Sequence, residues 1–174
     1  MKRAPRVAAV QDISGFGRCS MTVALPVLSA MGAQCCPLPT AYLSAHTAFP
    51  ELGKAAFLDL TRELEQTQEH WAALGVALDA VYSGFIGSAG QIAAIRRFYE
   101  RFRGADTVVL CDPVMGDGGR PYRTYTPDMC RAMGELAALA DVITPNLTEA
   151  ALLLGEEYAD APGSETAARA WLER

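Results

Sequence analysis

The sequence predicts an α/β domain built on a mainly parallel, helix-covered sheet. Strand-like apolar runs alternate with helix-periodic segments along all 174 residues, with no repeat and no low-complexity linker. The sharpest run, residues 107–111, stops at Asp112 and opens into Pro113-Val114-Met115-Gly116-Asp117-Gly118-Gly119. A buried parallel strand reads this way, and in open α/β sheets ligands sit outside such strand ends.

Composition narrows the function classes. The chain is 51% hydrophobic and 20% charged, as in a soluble globular protein long enough for a real core. Its net charge of −5 and pI near 5.0 argue against nucleic acid or an anionic membrane as the main partner. No apolar run reaches membrane-spanning length, and the basic start is followed by a short strand rather than a signal-peptide core. The 5 cysteines form no CxxC pair and read as small buried hydrophobes of a reducing cytoplasm. With only 2 histidines, a zinc site is not expected.

Residues 6–11 form a first strand, ending in a turn with Gly15 and Gly17. The GxGxxG and Walker A patterns are not met, so this loop reads as a close-approach site for some small ligand. A helix follows to Met31, stopped by Gly32 and kinked or delayed by Pro26. Residues 34–38 are a second strand, which Pro37 and Pro39 make an edge or a short piece. Residues 40–50 lack a period and read as loop, where His46 alone would be a hydrogen-bonded loop histidine.

A helix is expected over residues 54–71, with Phe57, Leu60 and Leu64 on its apolar face. Residues 80–87 are strand-like, and Ser88 with Gln91 has capping-box spacing. The helix it opens carries Ile92, Ile95, Phe98, Tyr99 and Phe102 on one stripe and a solvated arginine face opposite. Thr126-Pro127 starts another helix, running to about Leu139. A fifth strand spans residues 141–144, a helix from Asn146 ends at Gly155, and a polar loop with Pro162 and Gly163 leads to a last helix capped by Ser164.

Asp112 and Glu149 both follow expected parallel strands. Neighbouring strands would put both acids on one rim, where they need a cation between them or one must hold a proton. Mg²⁺ with a nucleotide phosphate suits such a rim. Asn146 and Glu149 also have N-cap and N3 spacing, so Glu149 can close its own helix as well.

At this point the residues resemble a known family. Residues 111–119 followed by Tyr122, and residues 141–149, resemble the two central motifs of the pyridoxal kinases of the ribokinase-like superfamily. Ser83-Gly84-Phe85-Ile86-Gly87-Ser88 is similar to that family's SGYLGS segment, Ser44-Ala45-His46-Thr47 to its SNHT segment, and Gln11 with Phe16-Gly17 to its first loop. The resemblance runs along the whole chain in order. It implies a ribokinase-like three-layer α/β sandwich, a single domain over residues 1–174 incomplete at its C-terminus.

The implied activity is transfer of the ATP γ-phosphate to the 5′-hydroxymethyl group of a B6 vitamer, as in pyridoxal 5′-phosphate salvage. By motif, Asp112, Thr144, Asn146 and Glu149 would serve ATP. Asp112, Asp117, Tyr122 and Glu149 would serve Mg²⁺, with or without a monovalent cation. Asp12, Ser14, His46, Thr47 and Phe85 would line the vitamer pocket. A cytoplasmic homodimer is the family expectation, with no nucleic-acid or membrane partner. The Asp12-Ile13-Ser14-Gly15 loop looks more like the DPSGG loop of the hydroxymethylpyrimidine kinases, which keeps that activity open. The family's GxGD motif, holding its catalytic base, does not occur in the 174 residues. The chain is therefore expected to lack that base, and a non-catalytic vitamer- or nucleotide-binding fragment is the rival reading.

Overall fold

The computed structural model describes residues 3–47, 49, 52–156, 158 and 164–172. In chain order the elements are β1 (Arg6–Ser14), α1 (Met21–Ala30), β2 (Gln34–Leu43), a single 3-10 turn, β3 (Phe57–Asp59), α2 (Thr61–Ala73), β4 (Ala80–Ser83) and α3 (Ala89–Phe102). Then come β5 (Val108–Cys111), β6 (Gly116–Asp117), β7 (Arg120–Pro121), α4 (Pro127–Ala137), β8 (Val142–Ile143), α5 (Leu147–Leu154) and α6 (Glu165–Leu172).

The main sheet has the order β3-β2-β1-β4-β5-β8. Every pairing in it is parallel except β2 with β3. The parallel strands therefore end on one rim. Alternate residues of β1 point to opposite faces. Ala8 and Val10 join the larger core, with Leu64 of α2, Ile95 and Phe98 of α3 and Met133 of α4. Ala9 joins a smaller core with Met21 and Ala24 of α1. Three layers result, with the heavier packing on the α2–α4 side.

Several expectations are corrected. The second strand is neither short nor simply an edge: β2 runs for 10 residues and absorbs Thr40–Leu43 of the expected loop. Its prolines are tolerated for a local reason. Gln34 donates to the Pro5 carbonyl, so even positions of β2 face β1. Pro37 and Pro39 turn their donor-less nitrogens outward, where β3 does not reach, since it pairs only with Ala41–Leu43. The expected helix over residues 54–71 divides into β3 and α2. Asp59 accepts from the Thr61 amide at 2.8 Å, making a turn where a continuous helix was expected. Phe57, read as core, is exposed, whereas Leu64 is buried.

The strand over residues 80–87 ends at Ser83. Ser88 does cap α3, accepting from the Gln91 amide, but the box is not reciprocal. The Gln91 side chain instead accepts from the Gly87 amide at 2.9 Å and donates to the Thr40 carbonyl at 2.7 Å. Of the cysteines only Cys111 is buried, and the other four are partly exposed. Pro26 lies inside α1. The polar loop with Pro162 and Gly163 falls outside the described residues, while Ser164 accepts from the Ala167 amide as expected of a cap.

Other elements follow their sequence signals. The apolar stripe of α3 is buried from Ile92 to Phe102. Its arginine face pairs across to α2, Arg97 with Glu65 and Arg101 with Glu69, each at 2.5 Å and exposed. Thr126 caps α4, and the Asn146–Glu149 box opens α5, which ends at Gly155 in the left-handed region. The β6–β7 hairpin turns on Gly118 and Gly119, with φ of +56° and +77°. A two-residue turn that needs positive φ at both positions selects such a pair. Among the described residues no helix is long and apolar enough to cross a membrane.

Candidate active site

The rim of the parallel sheet holds two adjoining cavities that share Cys19, Ser20, Phe85 and Val114. The first, of about 420 Å³, is lined by Asp12, Ser14, His46, Thr47 and Phe85 together with Tyr122. All five residues assigned to a vitamer pocket thus meet, although they come from three separate segments. The second, of about 480 Å³, is lined by Gln11, Arg18, Tyr82 and Asp112 and by apolar residues of α1.

Local structure explains how each segment arrives. Asp12 and Ser14 ride on the end of β1, and the Ser14 hydroxyl donates to Asp12 at 2.8 Å. The first loop and the histidine loop are pressed together: the His46 amide donates to the Phe16 carbonyl, and the His46 ring lies 4.4 Å from that of Phe49. Gly17 has φ +112°, and a Cβ there would fall 2.3 Å from the His46 ring. Only glycine leaves His46 its place. Phe85 is fixed through its backbone, whose carbonyl accepts from the Thr40 hydroxyl at 2.9 Å. Thr40 is held in turn by Gln91. The sequence marked Gln91 only as a capping-box partner and Thr40 not at all as a support, because neither carries a local sign of its tertiary partner.

Asp112 follows the end of β5, and Glu149 lies in the first turn of α5, which follows β8. The Asp112 amide is tied to the Ser83 carbonyl at 2.9 Å. Its carboxyl is raised above the usual range by burial, against a hydrogen bond from Thr144. Glu149 is 3% exposed. One of its oxygens accepts from the Asn146 amide at 2.8 Å, the other from the Met115 amide at 3.3 Å. Burial still pushes it up to about 7, against the Asn146 amide and with the charge of Asp112 adding to the rise. The Tyr122 hydroxyl is raised too, by burial and then by the charges of Asp117, Glu149 and Asp112. Tyr122 therefore links the first cavity to the acids.

Asn146 donates to the Gly116 carbonyl at 2.9 Å and accepts from the Thr148 and Glu149 amides. Thr148 accepts from the Gly119 amide at 2.9 Å. The start of α5 thus clamps the glycine hairpin. Asp117 is exposed beside the hairpin tip, bonded to the Gly118 amide at 2.7 Å. Asp117, Thr144, Asn146 and Glu149 line neither cavity. Gln11, not among the assigned site residues, is 3% exposed and lines the second cavity beside Tyr82.

No cluster of three or more His, Cys, Asp or Glu side chains able to hold a metal ion occurs among the described residues. Two hard-oxygen acids, each penalised for its charge, fit an Mg²⁺ ion bound by one or two carboxylates and by substrate phosphates.

Comparisons with known proteins place the chain. The profile of the family described as phosphomethylpyrimidine kinase matches residues 25–174. The pyridoxal kinase PdxY of Pseudomonas fluorescens (strain Pf0-1) is 32% identical over 153 residues, covering 86% of this chain and 52% of its own. A protein from Bacteroides thetaiotaomicron described as a phosphomethylpyrimidine kinase, solved with pyridoxal, superposes with a TM-score of 0.91 and 45% identity, over 98% of this chain and 58% of that one. The pyridoxal kinase of Leishmania donovani, in complex with ADP and pyridoxamine, gives 0.74 and 28%, over 97% and 60%. The chain thus spans about half to three-fifths of the length of these relatives.

Proposed function

The chain belongs to the phosphomethylpyrimidine kinase family, and from that premise we propose that it forms the vitamer pocket and phosphate rim of an ATP-dependent B6-vitamer kinase. The reaction is transfer of the γ-phosphate of ATP to the 5′-hydroxymethyl group. One observation carries the reading. Asp12, Ser14, His46, Thr47 and Phe85 line a single cavity of about 420 Å³, next to Asp112. A cavity of that size suits one small ring compound.

Phe85 packs beside the flat pyridine, and the polar groups opposite fix its orientation. Asp112 and Glu149 would hold Mg²⁺, with Asp117 and Tyr122 supporting the ion or its waters, and the bound ion would offset the charge on the transferring phosphoryl group. Thr144 orients phosphate. Asn146, whose amide is already spent on Gly116, Thr148 and Glu149, acts by holding the hairpin in place. None of the 174 residues is assigned the general base. Cytoplasmic work as a homodimer completes the reading, and sedimentation checks the dimer.

The test is a fluorescence titration with pyridoxal beside an ADP-release assay. Saturable pyridoxal binding without full turnover by these residues alone is expected. The alternative reading, which rests on the Asp12-Ile13-Ser14-Gly15 loop, is a hydroxymethylpyrimidine kinase. Clearly tighter binding of that pyrimidine than of any B6 vitamer would overturn the proposal.

A further inference from the structure

Asp12 is 4% exposed, yet it lines the first cavity. Its only hydrogen-bonding partner among the described residues is the neutral Ser14 hydroxyl. Among the described residues the lining includes His46 but no lysine, no arginine and no second carboxylate. A carboxylate withdrawn from water without a fixed cation is costly, and the cost falls when a cation arrives.

Ordinary strand alternation delivers Asp12 there: it shares a face of β1 with Ser14, while Ile13 turns the other way to pack with Ala9. The β1–β2 register runs from Gln11↔Pro39 to Ile13↔Tyr42, so two steps along β1 match three along β2. The extra residue lies on β2, so the alternation of β1 is unbroken. A carboxyl side chain that is buried and faces a cavity has the marks of a ligand contact.

We propose that Asp12 is a specificity determinant, its carboxylate facing a cationic ammonium arm on the ring substrate, so that the cavity selects an aminomethyl vitamer over neutral ones. This rests on the vitamer reading above. Pyridoxamine presents an ammonium group where pyridoxine presents a neutral hydroxymethyl and pyridoxal a carbonyl that can only accept. The carboxylate forms a charge-assisted bond with the first, a neutral bond with the second and a repulsive contact with the third.

The experiment is equilibrium titration of the 174-residue chain with pyridoxamine and with pyridoxine, a neutral comparator that forms no Schiff base with lysines. It is repeated on Asp12→Asn and Asp12→Glu, with melting curves to establish folding. The wild-type chain should prefer pyridoxamine by about 10- to 100-fold, the scale of a hydrogen bond to a charged group. Asp12→Asn should abolish the preference, and Asp12→Glu should keep part of it. Equal affinity of the wild-type chain for both compounds overturns the inference, even if Asp12→Asn does not fold. So does an equal loss for both in Asp12→Asn, which would mean that the carboxylate reads a group common to all vitamers. If the wild-type chain binds neither compound, the vitamer reading itself fails, and the inference with it.

Discussion

Glu149 shows how one side chain can serve the fold and a site at once. Both its oxygens accept backbone amides, yet burial raises it from its ordinary 4.5 to about 7. A carboxyl raised in the folded state stabilises the fold fully below about pH 4.5 and loses that contribution as pH climbs through about 7. In metal-free buffer, urea unfolding at about pH 5 and about pH 8 should show the wild-type chain losing on the order of 2 kcal/mol relative to Glu149→Gln. The glutamine carries a fixed cost of about 1–2 kcal/mol, because one of the two amides loses its acceptor. Parallel pH profiles would remove Glu149 as the titrating group. At this scale the sequence was legible where a residue acts through neighbours in the chain, as Asn146 and Glu149 do. It matched Gln11 to a family loop but gave no sign of its surroundings, which come from Tyr82 of β4, Asp112 after β5 and the residues of α1.

Helix ends were legible for the same reason, since caps reach only two or three residues. Thr126 and Asn146 both cap helices, but Asn146 also ties the helix to the Gly116 carbonyl. Thr126→Ala should cost about 1 kcal/mol in denaturant unfolding, the usual worth of a cap, and Asn146→Ala clearly more. Equal losses would mean that the bond to the hairpin contributes nothing. The misread elements, β2 beyond Leu38 and the β3–α2 corner, depend on pairing between distant segments. Pro37 and Pro39 signal an edge correctly, but only for the stretch that β3 leaves open. Phe57, Leu60 and Leu64 have helical spacing, yet Asp59 breaks the run before the helix begins.

For the molecule as a whole, the two faces of the sheet differ. Phe98 is fully buried on the α2–α4 side, with Phe102 at 4.5 Å and Trp71 at 6.2 Å between ring centres. On the α1 side Val108 and Val142 are 48% and 44% exposed. Phe98→Ala should cost about 3–5 kcal/mol in chemical unfolding, and Val142→Ala less than about 1. Comparable losses would show that both faces are equally packed. Fold class was legible because alternation of strand and helix is a property of the whole chain, but the order of strands was not. That order has its own consequence. Once β1 and β2 are paired, β4 settles on β1, β5 on β4 and β8 on β5. Each strand arrives at an open edge, beside one made earlier, and none must be wedged into a ladder already closed. Chains fold from the N-terminus as they are made, so this sheet can widen sideways at the pace at which the ribosome delivers it.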